Sequence, residues 1–137
     1  MFFNKQKTNN ENSELIKIAA LLIHSAKIDE DYTIQEEEII TKALLKFGAT
    51  TNNVKKIMED GKKVEKNSNQ ILEFTKEVKK MSEKKKIVMI ETLWKIIYSN
   101  NEADIYETNL MRRLGGLMYI DNKIMGDIKE KIKMENQ

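Results

Sequence analysis

The amino-acid sequence predicts an all-α protein, a compact bundle of about seven short helices with an internal pseudo-two-fold repeat of helix–acidic loop–helix units. Three observations predict it. The 137 residues include no proline and only five glycines, so little interrupts a helical run. Apolar residues recur at i, i+3, i+4 and i+7 along most of the chain, as in helices with one buried face. An acidic segment between two apolar helices occurs twice at a constant offset.

The elements follow in order. Residues 1–12 read as a flexible leader, polar from Asn4 to Asn12; its Phe2, Phe3, Lys5 and Lys7 could touch a membrane surface, but peripheral membrane contact is not expected. Residues 13–137 form a single helical domain. Leu15, Ile18, Ala19, Leu22, Ile23 and Ala26 mark the first helix, with Ser13 or Asn12 as its cap. Ile39, Ile40, Ala43, Leu44 and Phe47 mark the second, which Gly48 ends. Thr50 or Thr51 opens a third through Val54, Ile57, Met58 and Val64. Ser68 caps a fourth with Ile71, Leu72, Thr75 and Val78. Ser82 caps the strongest, with Ile87, Ile90, Leu93, Trp94 and Ile97 inward. A sixth runs from about Ile105 to Met118, its last turn loosened by Gly115 and Gly116. Asp121 caps the seventh, with Ile124, Met125, Ile128 and Ile132 facing in.

Composition excludes several functions. With 24 basic and 22 acidic residues the charges are mixed rather than one-sided, which argues against a nucleic-acid binder. The run Lys84-Lys85-Lys86 with Lys79-Lys80 reads as a solvated helix face. Without cysteine there is no disulfide, thiolate nucleophile or zinc knuckle, which suits a cytoplasmic protein. The apolar run Ile18 to Ile23 is far shorter than the roughly 20 residues of a membrane span. Met1-Phe2-Phe3 lacks the apolar region of a signal peptide. No phosphate loop, nucleophile elbow or Ser/His/Asp set occurs, so no enzyme is expected. His24, the single histidine, falls opposite the apolar stripe and reads as exposed; Trp94 reads as core, and Glu91 as an ion-pair partner of Arg112 or Arg113. Nothing in the sequence fixes an oligomeric state.

The repeat carries the functional expectation. A shift of 71 positions places Asp29 on Asn100, Asp31 on Glu102, Thr33 on Asp104 and Glu36 on Glu107. It also places Leu22 on Leu93, Ile23 on Trp94, Ala26 on Ile97, Ile39 on Leu110 and Ile40 on Met111. Thr33 with Glu36, and Asp104 with Glu107, have the form of capping boxes, which accounts for those four residues without any ligand. Caps do not account for Asp29, Asp31 and Glu102. Asp29 falls at the carboxyl end of the first helix, where the helix dipole disfavours a carboxylate unless a positive group offsets it. A divalent cation, with calcium favoured, could be that group; Lys27 or a partner's basic group are the alternatives. The candidate ligands are Asp29, Asp31, Glu36, Asn100, Glu102, Asp104 and Glu107. An EF-hand is excluded, because its required Gly and Glu positions, counted from Asp29, hold Ile34 and Ile40. The competing reading is an adaptor that binds a protein partner through the acidic loops without metal.

Leu21-Leu22-Ile23, Ala26, Asp29, Tyr32, Glu36 and Phe47-Gly48 resemble the first half of a tellurite-resistance protein B-like (TerB-like) domain. Glu91-Thr92-Leu93-Trp94-Lys95-Ile96-Ile97-Tyr98, Glu102, Tyr106-Glu107 and Leu110-Met111-Arg112-Arg113-Leu114 resemble its second half, and Phe74-Thr75 a pair between them. The resemblance spans about Leu15 to Ile132. It implies an all-helical, internally pseudo-symmetric domain with acidic loops suspected of holding metal ions, linked to tellurite resistance and stress, with no established catalysis. The sequence departs from the family where Asp-Gly is usual, with Asp29-Glu30 and Asn100-Asn101, and His24 stands where a carboxylate is common.

Overall fold

The computed structural model describes residues 2–27, 33–67, 72–99 and 105–135, and in α1, α4 and α6 the side chains from Asn12, Phe74 and Thr108 onward. Among the described residues there are seven helices and no strand: α1 (Phe2–Ala26), α2 (Ile34–Phe47), α3 (Val54–Lys66), α4 (Leu72–Lys79), α5 (Glu83–Tyr98), α6 (Ile105–Leu117) and α7 (Asn122–Glu135). All seven contribute to one apolar core. None is long and apolar enough to cross a membrane.

Two helices occupy the centre. In α1 every residue from Ile18 to Ile23 is buried, including Ala20 and Leu21, which lie off the stripe read from the sequence. In α5, Met89, Ile90, Thr92, Leu93, Trp94, Ile96, Ile97 and Tyr98 are all buried. A helix surrounded by neighbours loses its polar face, so its apolar arc is wider than one stripe. α1 packs most extensively on α3, and α5 on α7. The first pairing depends on missing side-chain volume. A Cβ added to Gly61 in α3 would lie 2.7 Å from the Cβ of Ala19 and 3.4 Å from the backbone nitrogen of Ala20. Glycine facing alanine lets the two backbones approach more closely than larger side chains allow.

The helix ends follow local chemistry. Ser82 accepts from the Lys85 amide and starts α5, and Asp121 Oδ1 accepts from the Lys123 amide at the start of α7. Thr50 and Asn53 exchange side-chain bonds with each other's backbone amides, so Thr50 organises the turn that leads into α3. α1, in contrast, begins at Phe2 and not at Ser13 or Asn12. Residues 4–12 contain no proline or glycine. Once a packed segment has formed, extending a helix through such residues needs no second nucleation. The Ser68 cap and Ile71 lie outside the described residues.

α2 and α6 end alike. After α2, the Ala49 amide donates to the Leu44 carbonyl and the Gly48 amide to Leu45; after α6, Ile120 donates to Gly115 and Tyr119 to Gly116. Both are Schellman reversals, which need a left-handed residue next to last. Gly48 supplies it at φ 120° and Tyr119 at φ 55°. Gly115, one of the two glycines expected to loosen the last turn, lies within α6. Its missing side chain admits Met125, whose Cε would stand 3.0 Å from an added Cβ. The 71-residue offset thus holds for the starts of α2 and α6 and for both reversals. The correspondence is one of sequence position and cap type, not of superposed coordinates.

Candidate functional site

The buried end of α1 and the capped start of α2 bracket the first acidic loop. At the α2 side, Thr33 is extended (φ −89°, ψ 161°) and forms a complete capping box with Glu36. The Glu36 amide donates to Thr33 Oγ1 at 3.1 Å, while the Thr33 amide and hydroxyl both donate to Glu36 Oε1 at 3.0 Å. The expected box is therefore present. Less expected is the depth of Glu36, which is only 1% exposed. Most capping glutamates stay in water; this one carries its charge into the core's edge. Such burial is costly unless hydrogen bonds or a positive group offset it. The box engages Oε1 and leaves Oε2 outside it. Among the described residues, no ammonium or guanidinium forms an ion pair with Glu36.

At the α1 side, a three-residue clasp ties the foot of the loop to the end of α3. Lys27 Nζ lies 2.9 Å from Glu65 Oε2, and His24 Nδ1 lies 3.3 Å from Glu65 Oε1. The Glu65 side chain is 11% exposed, while His24 and Lys27 are about half-covered. His24 is therefore not the exposed bystander its place opposite the stripe suggested, because α3 covers that side of α1 as well. A sequence signal for Glu65 existed: it is a carboxylate in the last turn of a helix, where the dipole opposes it, as for Asp29. Along α2, Glu37 Oε1 meets Lys62 Nζ at 2.6 Å, a second tie between the loop's neighbourhood and α3.

Of the expected ligands, Glu36 alone has a described side chain. Asp29, Asp31, Asn100, Glu102 and Asp104 lie outside the described residues, and Glu107 falls on α6 with its side chain undescribed. Among the described residues, no three His, Asp or Glu side chains stand together as a metal-binding group. In the second half, Glu91 pairs with Lys131 of α7 at 3.6 Å rather than with Arg112 or Arg113, which are exposed. Trp94 is buried as expected, stacked on Tyr98 with Lys129 over its ring, and its indole Nε1 has no hydrogen-bond partner among the described residues.

An all-helical domain in which a buried cap glutamate adjoins an acidic loop defines a class of small acidic-loop helical modules. Residues 15–130 match the family described as Tellurite resistance protein TerB, and the chain belongs to that family. No curated protein and no solved structure matches the chain.

Proposed function

We propose that this TerB-family domain is a non-catalytic module that binds a divalent cation, calcium by preference, through its acidic loops, in a role tied to tellurite resistance or stress. Asp29, Asp31 and Glu36 would hold the ion at the first loop, and Asn100, Glu102, Asp104 and Glu107 would form or share a weaker second site. The observation that carries this reading is the burial of Glu36. An acidic surface meant for a protein partner would present its carboxylates to solvent, whereas Glu36 is 1% exposed with its second oxygen outside the capping box. A cation at that oxygen would offset the charge, and an all-oxygen ligand set suits a hard ion such as calcium.

The adaptor reading has one observation of its own. Ile34, the first residue of α2, is 78% exposed at the mouth of a 730 Å³ groove between α2 and α3. An apolar side chain beside an acidic loop is what a basic, apolar partner segment would use.

Thermal unfolding with and without calcium, magnesium, manganese or zinc separates the two. A ligand at a hundredfold its Kd stabilises by about 2.7 kcal/mol, a rise of roughly 10 °C for a chain of this size. Calcium should produce such a rise, and Asp29→Ala should abolish it. No rise with any of the four ions leaves the adaptor reading in its place.

A further inference from the structure

The α4–α5 turn and the α6–α7 turn meet at one corner of the bundle, and this corner carries features that folding does not require. Tyr119 is 75% exposed and is the one non-glycine residue with positive φ among those described. An aromatic side chain is a poor occupant of the left-handed region, and strain of this kind persists where function retains it. The same reversal after α2 is built with Gly48, which adopts the conformation freely. The Tyr119 ring is not there to fill the core; its recorded ring contact is Lys79, whose Nζ lies 4.7 Å from the ring centroid.

Lys79 at the end of α4 touches the ring and Lys86 of α5 borders the depression beside it, while Lys80, Lys84 and Lys85 follow close by in the chain, at the end of α4 and in the first turn of α5. Lys80, Lys84 and Lys85 are exposed; the carboxylates here are Glu83 and Asp121 beside Tyr119, and Glu14 and Glu77 beside Lys80 and Lys85, Glu77 being paired with Lys17. Helix energetics do not favour three lysines at the positive end of α5. Lys86, Glu83, Tyr119 and Asp121 border a shallow depression of only about 90 Å³. The larger groove beside it, about 650 Å³, is lined by Glu14 and Glu77 as well as by Lys80 and Lys85, so the corner is no continuous basic track for a nucleic-acid strand. It offers projecting ammonium groups and one amphipathic ring.

We propose that this corner docks the protein onto an anionic lipid bilayer, with the lysines against lipid phosphates and Tyr119 at headgroup depth. Tyrosine favours that depth because its ring is apolar and its hydroxyl stays wet. Each lysine near an anionic surface contributes about fivefold in affinity, and an aromatic anchor supplies the second signal that stable attachment needs. Pattern reading offers no reason to expect this, since a lysine run is ordinarily a solvated face.

The test is co-sedimentation of the full chain with vesicles, in chelator so that no divalent ion bridges protein to lipid. Vesicles of phosphatidylcholine with about 30% phosphatidylglycerol should pellet the protein, and pure phosphatidylcholine should not. Raising salt from about 0.05 M to about 0.5 M should release it. The combined variant Lys79→Gln, Lys80→Gln, Lys85→Gln, Lys86→Gln should lose at least about a hundredfold in vesicle affinity. Tyr119→Asn should weaken binding several-fold while its Tm stays level or rises, because asparagine tolerates the left-handed region better. Absence of binding, equal binding to neutral vesicles, full binding by the lysine variant, or capture of an oligonucleotide in place of vesicles would each overturn the proposal. The calcium reading stands or falls separately, by melting alone.

Discussion

Gly61 shows how a single missing methyl group sets a helix crossing. Taken alone, alanine in the middle of α3 should favour the helix by up to about 1 kcal/mol over glycine. The 2.7 Å approach of an added Cβ to Ala19 reverses that preference, because both backbones would have to separate. Gly61→Ala should lower stability by about 1–3 kcal/mol, read as a lower urea midpoint with unchanged slope. Ala19→Gly in the same chain should recover part of the loss. A Gly61→Ala protein more stable than the parent would mean that the crossing has room to spare. Neither partner was legible as such: Gly61 interrupts a polar stretch of sequence, and only the fold brings it to α1.

Among the elements, helix ends were the most readable feature and helix surroundings the least. Ser82, Asp121, Gly48 and the Thr33–Glu36 box all act where the sequence placed them, because capping depends on residues two to five positions apart. Ser82→Ala should cost about 1 kcal/mol in chemical denaturation, and Thr33→Ala about as much or more, since it also strips hydrogen bonding from the buried Glu36 carboxylate. A smaller loss at Thr33 than at Ser82 would show that Glu36 is held by something other than its box. The start of α1 and the coverage of His24 were not readable. Both depend on what packs alongside, and local pattern carries no information on that. The Glu65 clasp was hidden for the same reason, since its members are about forty positions apart in sequence. The site was legible in part: the capping role of Glu36 could be read, but the burial of its side chain could not.

At the level of the whole molecule, all seven helices feed one apolar cluster, with α1 and α5 at the centre and α3 and α7 as their closest companions. No described helix has a core of its own. Unfolding should therefore be a single transition, with calorimetric and van't Hoff enthalpies equal within error. Two separated transitions would show that the halves related by the 71-residue offset fold independently.

The geometry of α1 has a mechanical consequence. Its 25 residues form a rod about 37 Å long, with one end rooted at the acidic loop by Lys27 and Glu65. A rod pivoting about its buried stretch, Ile18 to Ile23, behaves as a lever, so a tilt of about 5° imposed at the loop would swing the opposite tip by roughly 2 Å. Whatever that tip touches would sense an event at the loop without any contact between the two.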